Sequence, residues 1–281
     1  MTTGQFNNKR KLFVTMKKLL YCCCGLLVAT VSMRATPLFS DNFNSYPNGN
    51  LVGNDGWTQQ STTTTSPIQV SSGRALVGAT GQDIFNTLST PYTLVDGTSF
   101  YIGATLNLSA ATATGDYFLH WGTLPQGNTF MSRVFVKSSG TGYVLGYLET
   151  SGTGTTTYGT TVLNFGQDYR MVLAYNPVAG PLNDTAAVYV DPDDLTVEAN
   201  NTPYLSDTWT TTTAEQTTLA TINLRQGGST SGPTLAIDDL GLATTFAEAA
   251  TFTPAPVPEP TSLSLLGGFG LLAWFVNRRR R

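Results

Sequence analysis

The sequence predicts an all-β protein, two antiparallel sheets packed face to face, held between two targeting segments. Three observations predict it. Charged residues make up only 12% of 281, and Thr, Ser, Gly and Asn fill the gaps between short apolar runs, as in sandwiches and barrels. Ten or more such runs recur along the chain with strand-like alternation or length. No segment carries the period of a long amphipathic helix.

In order, the strand signals are Ala75 to Ala79, Ser99 to Leu108, Tyr117 to Trp121, Phe130 to Lys137 and Tyr143 to Glu149. They continue through Thr160 to Phe165, Tyr169 to Tyr175, Ala186 to Val190, Thr218 to Leu224 and Leu235 to Leu242. Asn54-Asp55-Gly56 and Asp96-Gly97 tolerate left-handed turns, while Asn176-Pro177 and Asp191-Pro192 separate one strand from the next. The Thr-rich patches Thr62 to Thr65, Thr155 to Thr157 and Thr210 to Thr213 read as exposed strands or loops.

Both ends differ from this body. Lys17 and Lys18 precede an apolar stretch from Leu19 to Val31, with small Ala35 following, the order of a secretory signal peptide over 1–35. Met16 offers a second start that gives the same mature chain. Cys22, Cys23 and Cys24 lie inside this stretch, so the mature body has no thiol, disulfide or Cys metal site. Bulky Tyr21 argues against lipidation of Cys22.

A sandwich body is expected over 36–250 and a Pro-rich linker over 251–260. Residues 261–281 form a C-terminal hydrophobic helix with an Arg tail. The apolar run from Leu263 to Val276, if helical, spans ~21 Å against a ~30 Å hydrocarbon core, a marginal transmembrane anchor. Arg278, Arg279, Arg280 and Arg281 hold that end inside. Val257, Pro258, Glu259 and Pro260 stand before it, extended by their prolines. This arrangement closely resembles the PEP-CTERM sorting signal of Gram-negative bacteria that make exopolysaccharide. The resemblance implies secretion, transient inner-membrane anchoring, and cutting near Pro258-Glu259-Pro260 by an exosortase that passes the body to the surface. An ordinary tail anchor explains the helix and arginines but not the Pro-Glu-Pro.

Between Thr36 and Pro256 five basic residues face seventeen acidic ones, a net charge of −12. Such a body repels phosphate backbones, so nucleic acid is not an expected partner. Leu38-Phe39-Ser40-Asp41-Asn42-Phe43, with Gly56-Trp57, resembles the opening of concanavalin-like jelly rolls, and Leu235 to Leu242 resembles their closing strand. The resemblance implies a jelly-roll antiparallel β-sandwich whose first and last strands pair, bringing Asp41 near Asp238 and Asp239.

Catalytic chemistry is sparse. His120 is the chain's only histidine and no Gly-x-Ser-x-Gly elbow supplies a nucleophile. Glu149, Glu198, Glu215 and Glu248 are scattered, without the Glu-x-Asp-x-x-Glu pattern of laminarinase-like enzymes. No phosphate loop is present. The body therefore reads as noncatalytic and without a cofactor, apart from structural calcium, which oxygen ligands could hold. Asp41 with Asp238 and Asp239 is one metal candidate, and Asp191, Asp193 and Asp194 form another. Glycan platforms would come from Trp57, Trp121, Trp209, Tyr143, Tyr147 and Tyr158. The expected function is that of an exported surface or exopolysaccharide-matrix protein, glycan-binding or adhesive. The alternatives are a secreted polysaccharide-active hydrolase and a calcium-dependent lectin-like module.

Overall fold

The computed structural model describes residues 37–127, 130–150, 154–209, 215–227 and 232–252. The signal, the sorting motif and the C-terminal apolar run lie outside the described residues. The strands, in chain order, are β1 Phe39–Asp41, β2 Gly49–Asn50, β3 Thr58–Gln59, β4 Gln69–Ser71, β5 Arg74–Val77 and β6 Ile84–Thr93. Then come β7 Phe100–Ala110, β8 Asp116–Gly122, β9 Met131–Ser139, β10 Gly142–Leu148 and β11 Thr157–Tyr158. The last are β12 Asp168–Asn176, β13 Thr185–Val190, β14 Leu205–Thr208, β15 Thr218–Leu224 and β16 Thr234–Ala243, followed by a short helix, α1, Phe246–Ala250.

They form two antiparallel sheets of a jelly-roll sandwich. One has nine strands, ordered β14-β13-β12-β7-β16-β5-β4-β2 with β1 also on β16; the other has seven, ordered β11-β10-β9-β8-β15-β6-β3. Inward side chains of both sheets make one core, with Val134 and Leu145 of the seven-stranded sheet against Leu173 and Ile237 of the nine-stranded one. Rings bridge the layers: Trp121 on β8 lies 5.8 Å from Phe100 on β7 and 5.9 Å from Tyr175 on β12, both edge-on. Edge-to-face packing of this kind adds to area burial.

The first and last strands pair as expected, with Asp41 opposite Leu240. β16 first pairs with β5 through Leu235 to Ile237, then with β1 from Leu240 onward. A bulge at Asp238-Asp239 separates the two partners. Asp239 sits there at φ +46°, a left-handed position that Asp tolerates better than most residues.

The short strands β2, β3, β4 and β14 carry no strand signal in the sequence, and three larger elements also depart from expectation. Thr160 to Phe165 is no strand; it is held to the sheets by a bridge between Leu163 and Tyr143, the Asn164 amide on the Tyr169 hydroxyl and the Phe165 ring against Tyr143. β6 carries no clear alternation because Asn86 points inward, its side-chain amide donating to the Asp55 carbonyl at 2.7 Å, and because Pro91 interrupts the run beside a register shift. α1 closes the body: its capping box pairs the Thr245 hydroxyl with the Glu248 amide and the Glu248 carboxylate. Packing continues past Ala250 to Phe252, whose ring lies where a side chain on Gly241 would stand.

Candidate functional site

Alternation along β9 divides its side chains. Val134 and Val136 enter the core, so Arg133, Phe135 and Lys137 face outward. Register then carries this face across the sheet: Tyr117 on β8 is opposite Phe135, Phe135 is opposite Gly146 on β10, and Gly146 is opposite Tyr158 on β11. One rung of four residues thus crosses four strands, spanning about 14 Å at the usual strand spacing. Tyr117 and Phe135 lie 5.3 Å apart between centroids. Gly146 leaves the space in which the Tyr158 ring lies flat on the sheet, since an added Cβ would stand 2.6 Å from Tyr158 Cδ1.

Three cations border this rung. The Arg225 guanidinium lies 4.1 Å from the Tyr117 centroid, Arg133 lies 5.1 Å from Tyr117 and 5.3 Å from Phe135, and the Lys137 ammonium lies 4.0 Å from Tyr158. Arg225 also pairs with Asp116 at 2.8 Å, and Arg133 donates to the Thr150 carbonyl. Burial lowers the Arg133 pKa and raises that of Tyr117, so the polar groups here are partly stripped of water.

Beneath the 123–127 loop the same face holds buried polar groups. Gln126 donates to Asn223 Oδ1 at 2.8 Å and accepts from Thr221 Oγ1 at 3.2 Å. His120, next to this pair, contacts the Trp121 carbonyl through Nδ1 at 3.3 Å and packs on Phe130 at 4.8 Å. Burial pulls its pKa down to about 3. A carbonyl only accepts, so the neutral ring carries its proton on Nδ1 for this contact. At neutral pH it is a poor general base.

The carboxylates are occupied elsewhere. Glu198 accepts from the hydroxyls of Tyr101 and Tyr189 at 2.7 and 2.9 Å, Glu215 accepts from the amides of Asn183 and Asp184, and Glu248 closes the α1 cap. Burial raises the Asp207 pKa to about 6, with a further contribution from Glu149, to which it hydrogen-bonds. Carboxyl groups bonded to each other leave no room for the sugar that separates a glycosidase pair by about 5 Å or more.

Most carboxylates of the predicted metal candidates already have protein partners. Asp41 is brought to β16, but its carboxylate already accepts from Phe43 N at 2.7 Å, Tyr46 Oη at 2.8 Å and Trp57 Nε1 at 2.7 Å. Asp238 faces Arg74 at 3.6 Å and accepts from the Asp239 amide. Asp191 accepts from Arg170 N, and Asp194 caps the turn before Glu198 through Thr196, Val197 and Asn200. Among the described residues no three His, Cys, Asp or Glu side chains are grouped to hold a metal ion.

Of the six aromatic residues that the sequence offers as platforms, Trp57, Trp121, Trp209, Tyr143 and Tyr147 are core, because each sits at an inward position of its strand or loop. Only Tyr158 lies on the outer face. Phe135, partly exposed, joins it, while Tyr117 shares that face but is buried beneath Arg225; the alternation Arg133-Val134-Phe135-Val136-Lys137 was the visible signal. A second groove, of about 440 Å³ on the other sheet beside Leu76, Asn107 and Ala236, is lined by no ring and no charge.

Residues 256–281 match the PEP-CTERM protein-sorting motif. This marks an exported, membrane-anchored precursor processed for the cell surface, and implies exosortase-mediated processing. No curated protein matches the chain in sequence. Solved structures resemble it at low identity. The T. cruzi calreticulin globular domain is 9% identical at TM-score 0.48, covering 76% of this chain and 91% of that one. An alginate lyase in complex with an alginate trisaccharide is 15% identical at TM-score 0.46, covering 73% and 97%. An endo-1,3-beta-glucanase from Streptomyces sioyaensis is 15% identical at TM-score 0.44, covering 74% and 95%.

Proposed function

We propose that this exported protein is a noncatalytic component of the cell surface or exopolysaccharide matrix, and that it holds a polysaccharide chain on the outer face of its seven-stranded sheet. One observation carries the reading: Phe135 and Tyr158 stand partly exposed in register on the outer face of one sheet, with Gly146 keeping the row flat and Tyr117, buried beneath the Arg225 guanidinium, closing its end. Pyranose rings present flat C–H faces that pack on aromatic rings, while hydroxyls take the polar groups beside them. Sheet strands fix such a row more rigidly than loops do.

The same geometry supports the noncatalytic part of this reading. His120 is buried and neutral, Glu198 holds two tyrosine hydroxyls, Glu215 accepts from two backbone amides, Glu248 caps α1, and Glu149 with Asp207 is closed on itself. The test is a pull-down of the protein, purified after export, on the producing cell's own exopolysaccharide, with calcium and with chelator, scoring bound protein and released sugar together. Retention without release is the expected result, and it should vanish in a Phe135→Ala, Tyr158→Ala double variant. Released sugar would establish the hydrolase instead, loss with chelator would establish the calcium-dependent lectin, and no retention would leave a structural role.

A further inference from the structure

The five cations of the body are not spread evenly. Arg74 is locked on the nine-stranded sheet by a two-pronged bond to Asp168, at 2.8 and 2.7 Å. Arg170 is tied there to the backbone carbonyls of Asp239 and Ala249. The other three, Arg133, Lys137 and Arg225, all border the aromatic rung of the opposite sheet. The carboxylates beside them are Asp116, paired with Arg225, and Asp83, which accepts from the Gln226 amide. This face is therefore net positive on a body whose charge is −12.

A neutral glycan needs no such gathering of charge, and a polyanion would be repelled by the rest of the body. Cations held against rings, partly desolvated, interact with an incoming anion more strongly than they would in open water. Guanidinium groups also match the two oxygens of a carboxylate. Resting on the glycan-binding reading above, we propose that the ligand is an acidic polysaccharide: uronate carboxylates meet Lys137, Arg133 and Arg225 while the sugars pack beside Phe135 and Tyr158, the partly exposed rings of the row.

The test compares polymers that differ only in charge. Polygalacturonate, polyglucuronate and alginate are each presented as the uronate and after reduction of the carboxyls to alcohols, with a neutral glucan alongside, and binding to the exported protein is measured by affinity electrophoresis. At least one uronate polymer should bind tenfold or more tightly than its reduced form. Lys137→Gln should weaken that polymer three- to tenfold and the reduced form by less, so that the preference for the uronate narrows, and Lys137→Arg should restore it. Equal binding of a polymer and its reduced form would overturn the acidic ligand while leaving glycan binding intact. Preference for uronate that Lys137→Gln does not touch would remove this face as the site. Failure to bind any polymer, charged or neutral, would overturn both readings.

Discussion

Gly146 and Asp41 show how single positions set this site and its support. A Cβ at Gly146 would stand 2.6 and 2.7 Å from two carbons of the Tyr158 ring and 2.9 Å from Thr156 Cγ2. Gly146→Ala should lift that ring off the sheet, costing roughly the 1 kcal/mol of one aromatic contact. Polysaccharide retention then falls about fivefold in affinity electrophoresis, and unchanged retention would mean that Tyr158 is not part of the platform. Asp41 acts from below. Asp41→Ala leaves the Trp57 indole, the Tyr46 hydroxyl and the Phe43 amide without their acceptor, at a cost of about 3 kcal/mol. That corresponds to a fall of roughly 6–12 °C in Tm, read by calorimetry. Since three donors fill the wild-type carboxylate, chelator should leave its Tm unmoved. That Asp41 would meet the last strand was implied by the resemblance of the opening and closing segments to concanavalin-like jelly rolls. It did not show the carboxylate's role, which depends on Trp57 and Tyr46 folding back over it.

At the scale of elements, strands with clean alternation were legible and those with a polar interior residue were not. β9 and β10 follow the sequence closely, whereas Asn86 and Pro91 hid β6. The capping box of α1 is readable as Thr245-Phe246-Ala247-Glu248, yet five residues are too few to show a helical period. What holds α1 is tertiary: Phe246 meets Tyr101 at 5.9 Å and Tyr189 at 5.2 Å, edge-on in both cases, and Ala249 and Ala250 bury beside Val172 and Ala174. An isolated turn of helix would not survive in water. Phe246→Ala should therefore release the segment from Phe246 to Phe252 while both sheets persist. Hydrogen exchange would show fast amides at Ala249 and Thr251 with the amides of β7 and β12 still protected. Loss of protection throughout β7 as well would mean that α1 is integral to the sheet.

Across the whole molecule, the two sheets meet along one side where β14 of the first approaches β10 and β11 of the second. Asp207 on β14 accepts from Thr157 Oγ1 on β11 at 2.9 Å and hydrogen-bonds to Glu149, just past β10. Burial first, then the neighbouring Glu149 charge, raises its pKa to about 6, above the ordinary value near 3.9 in the unfolded chain. The folded protein therefore holds the Asp207 proton over a range where the unfolded chain has lost it. Linkage then requires stability to fall as pH rises from about 4 to about 6, and to level off above the folded value. Asp207 is only half-buried, so solvent screening reduces the effect to about 1–2 kcal/mol. Asp207→Asn keeps the bond to Glu149 without a titrating proton. Its Tm should stay flat over that window while the wild type loses several degrees. Parallel wild-type and Asp207→Asn curves between pH 4 and 6 would show that the proton is not shared at this seam and that another group sets the slope.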